Sequence, residues 1–140
     1  MGVSITATNS EYDFYMGYGG FFSLRKNIAY ALDREFGENY AQLGKCWTDW
    51  QFEENDRAAE YIIHRKHLDV EYADVLDFLY MPDTGGSISY KTCKKIYDLI
   101  KNVDFKNDGF RYTAYRHDDY GEFKAFLKEC YAKRRKMRWS

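Results

Sequence analysis

The fold is most clearly indicated by residues 12–26, which read YDFYMGYGGFFSLRK. An aromatic strand pattern is followed by three glycines in four residues, Gly17, Gly19 and Gly20, and then by an amphipathic helix pattern. A helix that starts after a glycine turn presents free backbone N–H groups at the positive end of its dipole, where proteins hold phosphates and other anions. The segment therefore predicts either an anion-binding strand–turn–helix unit or a glycine turn that only allows close packing.

Apolar periodicity predicts the elements of the remaining chain. Alternation in residues 3–7 predicts a strand that forms a hairpin with residues 12–16, and helical spacing predicts one helix from about Phe21 to Phe36. Further helices are predicted over residues 53–68, 71–81 and 123–131 and after the N-cap Ser89, and further strands over 110–114 and, at a sheet edge, 136–140. We therefore expect one α+β domain over residues 1–140, mostly helical, with a small antiparallel sheet that includes the N-terminal hairpin.

The composition is that of an ordinary folded domain. The chain has 140 residues, of which 19% are aromatic, so it can bury a core, and its aromatic surface favours contacts that would build a homo-oligomer. Cys93 and Cys130 fall on apolar helix positions, which predicts buried, reduced thiols. The sequence shows neither a signal-peptide pattern nor a run long enough to span a membrane, so we expect a cytoplasmic protein with no membrane association.

The charge of the chain is nearly balanced but unevenly placed. The net charge is −1, while residues 69–83 contain five acidic and no basic side chains and residues 133–138 contain five basic ones. The balance argues against a strong binder of duplex nucleic acid. Each run is either a solvated face or a surface that pairs with a partner or steers an anionic ligand. The basic run, with Trp139, is also a weak candidate for holding phosphates and a stacked base.

No spacing in the sequence requires a catalytic centre, a metal ion or a cofactor. His64 and His67 are spaced to share a helix face, but the basic residues between them favour a solvated face over a zinc site. Asp74, Asp77 and Asp83, which surround the second glycine turn, keep a carboxylate-based nucleotide hydrolase as an alternative. We therefore expect a protein that is not an enzyme, with no catalytic residues, no metal and no cofactor.

Four segments together carry a family resemblance. They are MGVSI at residues 1–5, MGYGGFFSLR at 16–25 followed by IA, DTGGSISYKTC at 83–93, and FLKEC at 126–130. With them the chain resembles a family of small uncharacterised proteins from bacteria, prophages and phages. In that family a strand and glycine turn lead into an arginine-bearing helix, and an Asp-Cys-acidic-Gly turn precedes a cysteine-bearing helix. Here Thr84 and Gly85 depart from that turn. The resemblance implies a phage or prophage origin and a role against host defence.

The favoured hypothesis is a non-catalytic protein that sequesters a phosphorylated or nucleotide-derived small molecule, which in a phage setting would be a host immune signal. Gly19 and Gly20 would supply backbone N–H groups, and Arg25 would clamp the anion. The predicted ligand-binding residues are Tyr18, Gly19, Gly20, Phe21, Phe22, Arg25, Lys26, Asp83 and Gly86. Replacing Arg25 by Ala should then abolish binding and leave the fold intact. The alternative is an inhibitor that docks on a host defence protein through the acidic helix around residues 69–77.

Overall fold

Helices form most of the structure, a computed structural model that describes residues 2–8, 13–103 and 117–140. The predicted strand over 110–114, and Tyr12 at the start of another, lie outside these residues. The strands are β1 (Gly2–Ala7), β2 (Asp13–Gly17), β3 (Gly86–Ile88) and β4 (Met137–Trp139); the α-helices are α1 (Tyr18–Leu32), α2 (Arg34–Ala41), α3 (Asp49–Lys66), α4 (Leu68–Tyr80), α5 (Tyr90–Ile100) and α6 (His117–Ala132), with a 3-10 helix at Gln42–Lys45. The predicted α+β class and N-terminal hairpin are confirmed.

The strands form an antiparallel sheet in the order β2-β1-β4-β3. Strand β4 lies between β1 and β3, and Arg138 is opposite Thr6 on one side and Ser87 on the other. The predicted strand over residues 136–140 therefore exists, but its predicted position at an edge is wrong. Its two neighbours come from distant parts of the chain, which local periodicity does not reveal.

Helix α1 starts earlier than predicted. It begins at Tyr18, directly after β2, so Gly19 and Gly20 lie in its first turn rather than in a turn before it. Gly17 is the N-cap of α1 and has an extended backbone. Glycine has no side chain, so this helix start has no side-chain cap. Strand and helix are therefore joined without a loop. Gly17 has a φ of −65°, which any residue adopts, and a Cβ at Gly20 would be 3.7 Å from the Met16 Cβ, an ordinary contact, so the local geometry does not demand glycine at these positions.

A break after Leu32 divides the predicted helix over residues 21–36 into two, so that prediction is wrong. The carboxylate of Asp33 accepts a hydrogen bond from the backbone N–H of Phe36 at 2.9 Å, which caps the start of α2. Gly37 lies where α1 and α2 meet, and a Cβ there would be 2.7 Å from the Cα of Tyr30. Only glycine permits this close approach of the two helices.

Helices α3 and α4 are joined by a single residue. Helix α3 starts with a capping box, in which Thr48 Oγ1 accepts from the Gln51 N–H at 3.2 Å and Gln51 Oε1 accepts from the Thr48 N–H at 3.0 Å. His67 then separates the two helices in the left-handed conformation, with φ 56°. His67 therefore does not continue the helix face of His64. Pro82 follows the end of α4, as predicted.

One hydrophobic core joins the helices to the inner face of the sheet. Its largest fully buried side chains include Phe21, Phe36 and Phe78, each contributing about 1.5–3 kcal/mol by burial. Cys93 and Cys130 are also fully buried and free, which confirms their prediction as core thiols. None of the helices within the described ranges combines the length and the apolar character that a membrane span requires.

Candidate functional site

Arg25, the predicted anion clamp, lies in the core. The residue is 5% exposed, and its guanidinium carbon is 4.3 Å from the ring centroid of Phe21, 5.1 Å from that of Phe78 and 5.8 Å from that of Trp139. Its Nη1 donates a hydrogen bond of 2.7 Å to the carbonyl of Met81. Nε and Nη2 are buried and have no hydrogen-bond partner among the described residues. The guanidinium therefore packs between rings and holds the chain that follows α4.

Burial lowers the pKa of Arg25, and the nearby Tyr40 and Asp83 partly oppose this effect. The guanidinium stays charged because its ordinary pKa is far above neutrality. Burial also raises the pKa of Tyr40 to about 12, and its hydroxyl donates 2.5 Å to the carbonyl of Leu79. Side chains of α1 and α2 thus satisfy two carbonyls at the end of α4, which would otherwise lack partners.

The second predicted glycine turn is held by the same cluster. Trp139 Nε1 donates 2.9 Å to the carbonyl of Pro82, one residue after the carbonyl that Arg25 holds. A Cβ at Gly86 would collide with the indole of Trp139. The structure therefore brings Arg25 close to the segment that contains Asp83 and Gly86, and the contacts between them are packing contacts within the fold.

The other predicted ligand-binding residues lie along the start of α1. Gly19 is exposed, and Tyr18 and Gly20 are half-buried. The Lys26 ammonium lies 4.7 Å from the ring centroid of Phe22, and burial lowers the pKa of Lys26. The exposed members of the predicted site are thus Gly19 in the first turn of α1 and Asp83 in the second glycine turn, while the cations that follow on α1 pack against rings.

A cleft of about 700 Å³ lies between α3 and α4. Ala59 and Leu76 are buried at its floor, and Tyr80 is 41% exposed beside them. The described residues that line it are Asp56, Ala59, Glu60, Ile63, Asp69, Ala73, Leu76, Asp77, Tyr80, Met81 and Pro82. We call this the acidic cleft. Its size is within the range of pockets that bind small molecules or peptide side chains.

Four exposed carboxylates give the acidic cleft its charge, and none of its described lining residues is a lysine or an arginine. Asp56, Glu60, Asp69 and Asp77 form no ion pair with any residue that the structure describes. Asp74, one turn from Asp77, differs because its carboxylate is paired with Lys95 at 3.1 Å. Unpaired like charges around one cleft repel one another, so a bound cation would relieve this repulsion.

Asp74 and Asp77 have different surroundings in the structure. The Asp74 carboxylate accepts hydrogen bonds from Thr92 Oγ1 at 2.7 Å and from Lys95 Nζ at 3.1 Å, so it links α4 to α5. Asp77 lines the acidic cleft instead. Over residues 2–8, 13–103 and 117–140, no group of three or more His, Cys, Asp and Glu is placed to hold a metal ion.

The sequence revealed only half of the acidic cleft. The acidic run of α4 was identified, whereas Asp56 and Glu60 of α3 were not. Their signal is that Asp56, Glu60 and Ile63 recur at i, i+4 and i+7, which places two carboxylates and an apolar side chain on one helix face. Only the packing of α3 against α4 shows that this face meets the acidic run.

Comparisons with known proteins do not add a relative to this description. No protein-family model matches the chain, no curated protein matches it, and no solved structure matches it.

Proposed function

We propose that the protein is a non-catalytic binding protein that docks a basic segment of a partner protein in the acidic cleft. The observation that carries the proposal is the set of four unpaired carboxylates around a floor that contains Ala59 and Leu76. An apolar floor provides area to bury, and a charged rim selects the sign of the partner and increases the rate of encounter.

The chemistry of the occupant follows from the lining of the acidic cleft. An amphipathic helix that carries Lys or Arg on both sides of one or two apolar side chains matches it, because the apolar side chains reach Leu76 while the cations reach the rim. Tyr80 at the edge offers a ring for a cation–π contact. In the phage setting implied by the resemblance, the partner would be a host defence protein with such a basic segment.

Fluorescence anisotropy with a labelled helical peptide of Lys and Leu tests the proposal. We expect saturable binding at low ionic strength that weakens as salt is added. The double variant Glu60→Gln with Asp77→Asn should bind about tenfold more weakly, since partly exposed ion pairs contribute about 0.2–1 kcal/mol each. The matched control is Asp98→Asn, which removes an exposed carboxylate that is paired with Lys94 on α5. Equal losses in both variants, or no saturable binding, would rule out docking at the acidic cleft.

A second copy of the chain is another possible cationic occupant, because residues 133–138 contain five basic side chains. Light scattering across a concentration series distinguishes this case. Self-association at low salt that disappears in the double variant would identify the second copy as the occupant, and would overturn docking of a separate partner.

The small-molecule hypothesis is a second candidate, supported by the accessible start of α1. Apart from adjacent residues and the backbone of the helix itself, no described atom lies within 4 Å of the position that a Cβ at Gly17 or Gly19 would take, which leaves room for an anion beside the first turn. Such a ligand would be held by backbone N–H groups and Tyr18, without Arg25 as a clamp, because that guanidinium is engaged with Met81. A thermal-shift screen with mononucleotides and cyclic nucleotides tests this candidate, since a ligand of the folded state raises Tm. Flat curves across the screen would exclude it.

A further inference from the structure

The outer face of the sheet is polar and partly exposed. Val3, Ile5 and Ala7 of β1 are buried on the inner face, whereas the alternate residues of β1 face outward. The strand register places Ser4 opposite Tyr15, and places Thr6, Arg138 and Ser87 in one row across β1, β4 and β3. Arg138, Ser87 and Tyr15 are exposed. Hydroxyl groups therefore lie on both sides of a central arginine.

A group of basic residues borders this face. A cleft of about 430 Å³ is lined by Thr8, Lys133, Arg134, Arg135, Lys136 and Arg138, and none of its described lining residues is a carboxylate. We call this the basic cleft. Lys133 and Arg135 each approach the carboxylate of Glu129, at 3.1 and 3.6 Å. Arg134, Lys136 and Arg138 have no ion pair within the part of the chain that the structure describes, so the cleft keeps an excess of positive charge.

An exposed aromatic ring lies on the same face. Tyr15 is 62% exposed, and its side chain lies against Gly2, where a Cβ would be 2.5 Å from its hydroxyl oxygen. The absence of a side chain at Gly2 therefore allows the ring to rest on β1. Tyr15 and Arg138 lie on strands that are two steps apart in the sheet, which corresponds to about 10 Å. Trp139, the aromatic residue that the sequence suggested for stacking, is buried on the other face.

We propose that this face binds single-stranded nucleic acid, with phosphates in the basic cleft and one base stacked on Tyr15. The three cations that have no ion pair among the described residues match the charge of the phosphates, and an exposed ring has a face that stacks with any base. A duplex is not the expected ligand because its bases are not free to stack on a side chain. This surface is separate from the acidic cleft, so the inference does not depend on the function proposed above.

Fluorescence anisotropy with a labelled oligo-dT strand tests this inference on the full chain. Neutralising three or four phosphates gives a slope of log K against log salt of about −2 to −3, since single strands contribute about −0.7 each. Affinity should therefore fall about 20- to 50-fold between about 50 and 200 mM salt. A flat salt response, or no saturable binding at the lower salt concentration, overturns the proposal.

Variants assign the binding to this face. Arg138→Gln should weaken binding and make the slope less steep by about 0.7. Tyr15→Ser should weaken binding about fivefold or more, while Tyr15→Phe keeps the ring and should bind normally. The matched control is Arg57→Gln on α3, which removes an exposed arginine that is paired with Glu54. Unfolding curves confirm that each variant folds. Equal weakening by Arg57→Gln, no effect of Tyr15→Ser, or duplex binding as tight as single-strand binding overturns the assignment.

Discussion

Replacing Arg25 by alanine distinguishes a structural role of this residue from a ligand-binding role. The change removes the hydrogen bond to the Met81 carbonyl and the contacts with the rings of Phe21, Phe78 and Trp139. An orphaned carbonyl costs about 1–3 kcal/mol, the ring contacts contribute about 1–2 kcal/mol, and the cavity adds about 2 kcal/mol. The variant no longer has to bury a charged guanidinium, and this offsets about 2–3 kcal/mol of the loss. We therefore expect the free energy of unfolding to fall by about 3 kcal/mol.

This loss is measured by guanidinium chloride and thermal unfolding followed by circular dichroism. A domain of this size loses about 3 °C in Tm per kcal/mol, so the Tm of Arg25→Ala should fall by about 10 °C. Arg57→Ala is the control, because its side chain is exposed and should change stability by no more than about 0.5 kcal/mol. An Arg25→Ala protein as stable as the control would refute the structural role and restore Arg25 as a candidate ligand clamp.

Two further substitutions and one chemical modification test other parts of the structure. Gly86→Ala should lower the free energy of unfolding by about 1–3 kcal/mol, because the new Cβ clashes with Trp139. Gly85→Ala should have little effect, because a Cβ there would be 3.8 Å from the nearest atom outside the adjacent residues, the carbonyl oxygen of Trp139. Similar unfolding midpoints for the two variants would contradict this prediction. Burial alone would raise the pKa of Asp74. The hydrogen bonds from Thr92 and Lys95 have the larger combined effect, so the pKa of Asp74 lies below its usual 3.8. Asp74→Asn should therefore lower the free energy of unfolding by about 1 kcal/mol at neutral pH. The difference between the original protein and the variant should vanish as the pH falls below 3.8, because the Asp74 carboxylate is then protonated. A difference that persists in acid would contradict a role for the charge of Asp74. A thiol reagent should modify only the half-buried Cys46 in the folded protein and all three cysteines after unfolding; rapid reaction of all three in the folded protein would show that the core thiols are accessible.

The elements with strong local signals could be predicted from the sequence. The alternation in β1, the N-cap at Ser89, which accepts from the Thr92 N–H at 3.3 Å, and the stop at Pro82 each depend on neighbouring residues. The break between α1 and α2 was missed because the apolar spacing continues from Leu32 to Phe36. The N-cap signal of Asp33 outweighs this continuity in the folded chain.

The candidate sites were harder to predict because they depend on pairs of distant elements. Arg25 was assigned to a ligand because it follows a glycine turn, yet it is spaced i+4 from Phe21 and i−3 from Ile28, which are both fully buried. That spacing places the arginine on the apolar face of α1. The acidic cleft needs the packing of α3 against α4, and the basic cleft needs the register of β4. The acidic cleft cannot be obtained from the residues of one element, whereas the basic run over residues 133–138 is visible in the sequence and only its position beside Thr8 depends on the strand pairing.

The central position of β4 has a consequence for how the chain folds. Residues 137–139 pair with β1, so Ile5 faces Trp139 across nearly the whole length of the chain, and the hairpin of β1 and β2 lacks its third strand until that contact forms. Helix pairs such as α1 with α2 involve short sequence separations and are expected to assemble quickly, whereas closing the long β1–β4 loop has a large entropic cost. Folding should therefore end with the sheet, and until then β1 presents an unpaired edge on which chaperones or other extended chains can act.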